Sequence, residues 1–205
     1  GYAAASKQQK KHIQDSAEQL RALNLGGTAI GTKINTPQNY QALVLHALRK
    51  NTSIKWKAAN NLFEATANIT AIAIVHASLK VLAEILIKIA NDLRLLSSGP
   101  ITGFNELVLP AVLPGSSIMP GKVNPAVAEM VDMVGFQVIG NDTTITMCSQ
   151  AGQLELNVMM PLAGYTLLQS IDILSHAMTV FAEHCIKGIK VNQEQCRLYV
   201  EKNPI

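Results

Sequence analysis

The sequence predicts an all-α fold, a bundle of long helices, on three observations. No stretch of useful length alternates apolar and polar residues as a half-buried strand does. Residues 60–98 contain neither Pro nor Gly, and helix-start signals precede several other segments. Hydrophobic residues make up 48% of the 205 and aromatic residues 4%, so the shared core is aliphatic.

In the N-terminal part, the sequence predicts two helices separated by a Gly-rich connector. The first helix covers residues 3–22, and the connector covers 24–35. Thr36 and Pro37 then supply an N-cap and a first-position Pro for a helix that ends near Arg49. Because the connector follows a helix and not a strand, its GGTAIG run is interpreted as a plain turn rather than a dinucleotide-binding loop.

A third helix covers residues 60–98. Polar residues recur in it at every fourth position: His76, Lys80, Glu84, Lys88 and Asp92. The remaining surface is apolar, and such a helix is covered on several sides by neighbours in a bundle. Because the charged residues interrupt its most membrane-like stretch, 69–90, we predict no membrane span. We interpret His76 as a hydrogen-bonding residue of the bundle rather than a ligand.

A long loop and a fourth helix follow. Residues 99–124 hold four Pro and four Gly and no predicted secondary structure. A loop of this length inside a compact domain is either disordered or functional. Asn124 and Pro125 supply an N-cap and a first-position Pro for a helix that runs to about Met147.

Two helices complete the chain. Residues 155–187 predict a long helix, bent at Pro161 and ended by Gly188. Asn192 and Gln195 resemble a capping box and predict a short last helix.

Composition argues against several classes of protein. The net charge of +3 is too low for a disordered chain, and the 17 basic and 14 acidic residues are spread too evenly for a nucleic-acid-binding face. The three cysteines show no CxxC spacing, which argues against a zinc site and favours reduced cytoplasmic thiols. Charged residues make up only 15%, so we expect part of the surface to be covered in an oligomer.

Candidate chemistry concentrates at residues 114–125, PGSSIMPGKVNP. Ser116, Ser117, Lys122 and Asn124 lie within nine positions of one another. Lys122 and Asn124 come just before a helix N-terminus, whose free N–H groups and dipole favour an anion such as a carboxylate. Taken alone, these residues fit an ordinary polar connection between helices equally well.

At this loop the chain resembles a known family. Residues 115–125 (GSSIMPGKVNP) resemble the GSSxMPxKxNP signature of the fumarase/aspartase superfamily, and residues 114–125 are called the signature loop from here on. Further stretches match in the family's order: 25–35 (LGGTAIGTKIN), 88–100 (KIANDLRLLSSGP), 140–143 (GNDT) and 152–159 (GQLELNVM). The resemblance implies that residues 1–205 form one central helical domain with a mobile loop over 99–124.

Two branches of the superfamily compete. The GFNE segment with Asn105, the Ser97–Ser98 pair and the AGQL run from Ala151 resemble aspartate ammonia-lyases more than fumarases. The resemblance therefore implies reversible anti elimination of ammonia from L-aspartate to give fumarate. Fumarate hydratase remains the alternative, and a catalytically inert oligomerisation bundle is a second one.

The resemblance also implies roles for the loop residues. Ser116 would take the Cβ proton as an alkoxide base, and Ser117 would donate to the other end of the substrate. Lys122 and Asn124 would hold a substrate carboxylate. Glu129 matches the family Glu that pairs with an active-site His.

Two glycines and one lysine complete these expectations. Gly115 and Gly121 would be the hinges of a lid that closes over substrate. Lys33 stands where the family usually has Gly, which makes the geometry of that turn an open question.

The resemblance finally implies a setting for the chain. The family's His segment, its amine-binding loop and its small C-terminal domain are not among these residues, so we expect a central piece of a longer enzyme, inactive alone. We expect no cofactor, no metal and a small dicarboxylate substrate. We also expect a cytoplasmic homotetramer whose active sites are shared between subunits, with no nucleic-acid or membrane partner.

Overall fold

The structure is a computed structural model that describes residues 1–203, so the last two residues of the predicted 1–205 domain lie outside the described residues. Its helices are α1 (Tyr2–Ala17), α2 (Tyr40–Thr52), α3 (Leu62–Ala67), α4 (Thr70–Leu96), α5 (Ala126–Gln150), α6 (Met160–Phe181) and α7 (Gln193–Lys202). Its strands are β1 (Ala22–Leu23), β2 (Lys57–Ala58), β3 (Leu107–Val108) and β4 (Lys190–Val191). The predicted all-α class is confirmed.

The short strands pair at two places. β1 lies parallel to β2, with Ala22 opposite Lys57, and β3 lies antiparallel to β4, with Leu107 opposite Val191. The loop expected over 99–124 therefore contains a strand. Its first part is also held by backbone bonds, from Asn105 N–H to the Ser98 carbonyl and from Glu106 N–H to the Leu96 carbonyl.

The described chain divides into two compact units. The first contains Gly1 and residues 3–82 and 139–170, and the second contains Tyr2, residues 83–138 and residues from 171 onward. In the first unit, Ile69, Cys148 and Ala163 are buried together and Ile72 packs against them.

The second unit contains close packing between α4 and α5. A Cβ at Gly135 would lie 2.6 Å from the Cγ1 atom of Ile87, so a larger residue here would force the Ile87 side chain to move where α5 approaches α4. Ala83, Ala90 and Ala128 are fully buried in this unit, since small side chains allow helices to come close.

By length and composition alone α4 could cross a membrane, a test that the core helix of a soluble protein also passes. Two of its polar residues make contacts within the protein: His76 is fully buried, and both His76 and Lys80 contact Asp142. We therefore interpret α4 as a core helix, in line with the sequence prediction.

The predicted start of the second helix is wrong. Helix α2 begins at Tyr40, because Asn39 has a left-handed conformation with φ of 63°. The Thr36 hydroxyl does not cap the helix but donates to the Gly26 carbonyl at 2.8 Å. Thr36 and Pro37 therefore belong to the connector.

The single helix predicted over 60–98 is two helices. Helix α3 ends at Ala67, because the next residue, Asn68, has extended backbone angles, φ of −119° and ψ of 148°; α4 starts at Thr70. Asn61 caps α3 by accepting the N–H groups of Phe63 and Glu64. No Pro or Gly marks this break in the sequence.

The helix predicted over 155–187 starts later than expected. Helix α6 begins at Met160, after a turn in which Gln153 bridges Leu156. Asn157 is buried there, and its Oδ1 atom accepts the Met159 N–H at 2.9 Å. Pro161 lies in the first turn of α6, where its missing N–H costs nothing, so it does not bend the helix.

The two ends of the chain agree better with the sequence. Helix α1 is continued to Arg21 by a 3₁₀ turn. A π-helical turn, Ala182–Ile186, follows α6. Asn192 caps α7 by accepting the Gln195 N–H, which confirms the predicted start of that helix.

Candidate active site

Gly115 closes the base of the signature loop. Its N–H donates to the Lys122 carbonyl at 3.0 Å, and its carbonyl accepts the Asn124 Nδ2 amide at 2.9 Å. A Cβ at this position would lie 2.4 Å from the Lys122 carbonyl oxygen. The backbone therefore approaches too closely here for any residue other than glycine.

Ser116 lies at the start of the loop with its side chain turned back onto the backbone. Its Oγ atom accepts the N–H groups of Ile118 and Met119, both at 3.2 Å. Hydrogen bonds donated to an oxygen favour its negatively charged form. Such a turn is also a common local motif of serine, so the geometry permits alkoxide chemistry without requiring it.

The other loop residues differ in how firmly they are held. Ser117 and Lys122 are exposed, and the Lys122 ammonium makes no ion pair within residues 1–203. Asn124 is half-buried and ties the loop to Gly115 instead of presenting its amide to α5. Gly121 has φ of 77° and open space around it. The signature loop thus carries the unpaired ammonium group of Lys122, and hydrogen bonds to Gly115 hold its two ends together.

Two hollows flank the signature loop. The larger, about 970 Å³, lies beside the last turn of α4 and is called the α4 groove; it is lined by Arg94, Asn105, Lys122 and Asn124 among others. The smaller, about 460 Å³, is called the serine hollow and is lined by Ser116 and Lys122. Lys122 therefore borders both hollows, whereas Ser116 borders the serine hollow alone.

Glu129 is separate from these hollows. It lies in the first turn of α5, half-buried, and its N–H donates to the Pro125 carbonyl at 3.0 Å. Its carboxylate makes no ion pair among the described residues and lines neither hollow. The structure therefore brings Ser116 and Lys122 together in one hollow but does not bring Glu129 to it.

Comparisons with known proteins identify the family of this chain. A family described as lyase matches residues 1–140. The chain belongs to this lyase family. It is 51% identical over 194 residues to an aspartate ammonia-lyase of Escherichia coli, covering 95% of this chain and 41% of that protein. It is 48% identical over 193 residues to an aspartate ammonia-lyase of Bacillus subtilis, covering 94% and 41% of the two. The lyase chain thus spans about two fifths of the length of these relatives.

Solved structures confirm the fold of the lyase chain. A fumarate lyase/delta crystallin from Brucella melitensis, in a structure bound to cobalt, matches with a TM-score of 0.95 and 47% identity over 98% of this chain and 44% of that one. A class II fumarase from Schistosoma mansoni matches with a TM-score of 0.96 and 35% identity, over 98% and 45%. Both the predicted superfamily and its helical fold are confirmed.

Sequence reasoning missed an ion pair beside the α4 groove of the lyase chain. Arg94 Nη1 lies 2.7 Å from Asp132 Oδ2 and also donates to Asn91 Oδ1 at 3.0 Å. The two charged residues lie on different helices and far apart in the sequence. No spacing rule could therefore have paired them.

A buried polar network in the first unit confirms that His76 is a hydrogen-bonding residue of the bundle, although its partners were not predicted. His76 Nδ1 lies 3.0 Å from Asp142 Oδ1, and His76 Nε2 lies 2.9 Å from Ser170 Oγ. Asn141 Nδ2 donates to the same Ser170 oxygen, and Lys80 donates to Asp142. Polar residues inside apolar helices were the available signal, although they did not show which partners would meet.

The order of Ser170, His76 and Asp142 resembles a nucleophilic triad. Ser170 and His76 are both 0% exposed, however, and neither lines the α4 groove or the serine hollow. A carboxylate only accepts hydrogen bonds, so His76 Nδ1 carries the hydrogen. This network ties α4, α5 and α6 together within the first unit, and the side chains of Ser170 and His76 are closed off from solvent.

Lys33 adopts the conformation expected of the glycine it replaces. Its φ is 61°, in the left-handed region, and its N–H donates to the Gly27 carbonyl at 3.0 Å. The turn therefore forms with Lys in place of Gly, at the modest backbone cost of that region.

Proposed function

We propose that this lyase chain supplies the signature loop and helical core of an aspartate ammonia-lyase. The observation that carries the proposal is the arrangement of Ser116, whose Oγ accepts two backbone N–H bonds in a hollow that it shares with the free cation of Lys122. The identity of 51% to an aspartate ammonia-lyase supports L-aspartate as the substrate.

The chemistry requires a strong base and a cation beside the substrate carboxylate. A proton beside a carboxylate is very weakly acidic, and removing it places a second negative charge on that carboxylate. In the proposed reaction, Ser116 acts as an alkoxide that takes the Cβ proton and becomes a neutral hydroxyl, and Lys122 stabilises the doubly charged carboxylate. The electron pair of the Cβ–H bond then forms the double bond, the Cα–N bond breaks, and ammonia leaves.

The remaining predicted residues take supporting roles in this proposal. Ser117 is exposed beside the base and donates to the other end of the substrate. Asn124 holds the loop through Gly115 and lies near the carboxylate held by Lys122. Gly115 and Gly121 permit the loop to close. Glu129, away from both hollows, pairs with a His from another segment of the protein.

Fumarate hydratase is a second candidate. The backbone matches a class II fumarase with a TM-score of 0.96, so the fold does not distinguish the two reactions. The identity to that fumarase is 35%, against 51% to the aspartate ammonia-lyase. This difference favours ammonia as the leaving group.

The setting of the enzyme also belongs to the proposal. Large apolar side chains lie on one exposed face of α6, at Leu162, Tyr165 and Leu168. Contiguous exposed apolar surface marks a protein interface. We infer a homotetramer in the cytoplasm, with each active site shared between subunits, no cofactor, and no metal.

A chimera tests the function. In it, this chain replaces the matching 194 residues of the Escherichia coli aspartate ammonia-lyase. Fumarate absorbance is followed with L-aspartate and with L-malate. We expect fumarate from aspartate, and a loss of kcat of about 10²–10⁴-fold in Ser116→Ala, the range that removing a general base produces.

The control is Ser53→Gly, an exposed serine just after α2 whose φ of 55° glycine adopts readily, and this variant should retain full activity. Fumarate formed from malate alone would replace the proposal with fumarate hydratase. A folded chimera that is silent with both substrates would favour the inert helical bundle.

A further inference from the structure

The signature loop belongs to a long connection between two packed helices. Helix α4 ends at Leu96 and α5 begins at Ala126, so residues 97–125 leave one helix and return on the other. The signature loop forms the last part of this connection and leads directly into α5. Its position relative to α4 therefore depends on how firmly the start of α5 is held against the end of α4.

One ion pair joins these two helix ends. Arg94 lies in the last turn of α4 and Asp132 in the second turn of α5, and the Arg94 Nη1 and Asp132 Oδ2 atoms are 2.7 Å apart. Arg94 Nη1 also donates to Asn91 Oδ1 at 3.0 Å, a bond within α4 that orients the guanidinium. The pair therefore holds α5 close to the point where the signature loop ends.

The carboxylate of this pair lies in apolar surroundings. The Asp132 side chain is 5% exposed, and both Val131 and Ala128, one turn earlier, are buried as well. The Asp132 Oδ1 atom is buried and has no hydrogen-bond partner among the described residues. A carboxylate placed in this way depends on its counter-charge, because removing one partner of a buried pair leaves an uncompensated charge. The contact therefore resists separation of α4 and α5 at this point.

Groups of the proposed reaction lie next to this contact. Glu129 precedes Asp132 by three positions on α5, a spacing that puts both residues on one side of the helix. Arg94 lines the α4 groove together with Lys122 and Asn124 of the signature loop. A shift of α5 against α4 would move Glu129 and the loop together, and a misplacement of about 1 Å can reduce a rate about 100-fold.

We propose that Arg94 and Asp132 are positioning residues of the lyase, whose ion pair fixes the start of α5 against α4 and so sets the position of the signature loop. Both act through the backbone that carries Ser116 and Glu129, and neither takes a proton or binds substrate in this role. Without the pair, the signature loop opens more often while the rest of the chain stays folded. The effect on catalysis rests on the proposed function, whereas the effect on loop opening does not.

Tryptic cleavage after Lys122 in the native 205-residue chain measures how often the signature loop opens. Arg94→Gln leaves Asp132 buried without a counter-charge, and we expect cleavage about tenfold faster than in the parent chain. Adding Asp132→Asn removes the uncompensated charge, so the double variant should be cleaved more slowly than Arg94→Gln alone. Asp132→Asn by itself keeps the shape of the side chain and should be cleaved faster than the parent chain.

Asp142→Asn is the matched control. Asp142 is also a largely buried carboxylate paired with a cation of α4, Lys80, but it belongs to the first unit. This variant should be cleaved after Lys122 at the rate of the parent chain, even where urea titration shows a lower free energy of unfolding. In the aspartate ammonia-lyase chimera, Asp132→Asn should lower kcat more than it raises KM, and Asp142→Asn should change neither.

Three results overturn the positioning role. They are cleavage at the parent rate in Asp132→Asn, equal acceleration in Asp132→Asn and Asp142→Asn, and a double variant cleaved as fast as Arg94→Gln. Where Arg94→Gln does not fold, the first two comparisons decide. Faster cleavage in Asp132→Asn, together with a folded chimera that is silent with both L-aspartate and L-malate, would support the positioning role and overturn the proposed function instead.

Discussion

Gly115 holds the signature loop together through its backbone alone. Both its N–H and its carbonyl are used, one by Lys122 and one by Asn124, at distances of 3.0 and 2.9 Å. A side chain at this position would collide with the Lys122 carbonyl rather than with a flexible side chain. The loop geometry therefore depends on this glycine more than on Gly121, which has open space around it.

Gly115→Ala should open the loop. The added Cβ would lie 2.4 Å from the Lys122 carbonyl oxygen, so the hydrogen bonds that join Gly115 to Lys122 and Asn124 must break. We expect faster tryptic cleavage after Lys122, measured by limited proteolysis of the native chain. Gly121→Ala is the control, because it meets no atom within 4 Å and adds only the strain of a φ of 77°. Equal cleavage of the two variants would contradict this account.

The candidate site could be predicted from the sequence only where its residues are close together in the chain. Ser116 and Lys122 lie in one short loop, and the structure places both in the serine hollow. Arg94 and Asp132 lie on two different helices and form an ion pair. Helix periodicity predicts the direction of a side chain but does not identify the residue that it will contact. The N–H bonds to Ser116 depend on backbone angles that composition does not specify.

At the level of helices, the buried network in the first unit makes stability depend on pH. Burial alone would raise the pKa of Asp142, but the hydrogen bonds from Lys80 and His76 outweigh burial and hold the pKa below its ordinary value. A carboxyl group whose pKa is lowered by folding stabilises the protein above its unfolded pKa, about 3.9 for Asp. That contribution disappears as the pH falls through the folded pKa.

Asp142→Asn should therefore weaken the dependence of the free energy of unfolding on pH in the acid range. The free energy of unfolding, measured by urea titration at a series of pH values, should fall less steeply below about pH 4 than in the parent chain. Asp15→Asn removes an exposed carboxylate of α1 and should leave the slope unchanged. Parallel curves for the parent chain and Asp142→Asn would show that the network adds nothing to acid stability.

Helix boundaries were predictable where a side chain bonds to the backbone locally. Asn192 was identified as the start of α7, and Asn61 with Glu64 presents the same kind of signal at α3. The break after Asn68 was missed because its cause is tertiary, since the Thr66 carbonyl accepts the Asn157 N–H at 3.3 Å from a distant segment. Local patterns do not report such a contact.

At the scale of the whole molecule, the aliphatic composition helped to predict the helical class. It did not predict which apolar surfaces stay exposed. Apolar residues line α6 at intervals of three, at Leu162, Tyr165 and Leu168, and all three are exposed. A spacing of three keeps side chains on one face of a helix. An exposed apolar face of this kind is what a second copy of the chain would cover.

Leu168→Glu should prevent association of the chain. Leu168 is 67% exposed, and burying its replacement carboxylate between copies without a partner is costly. We expect sedimentation equilibrium to give an oligomer for the parent chain and a smaller species for Leu168→Glu at the same concentration. Leu43→Glu is the matched control, because Leu43 is equally exposed, at 66%, and belongs to α2 rather than to α6. A monomeric parent chain, or equal loss of mass in both variants, would remove the α6 face as the interface.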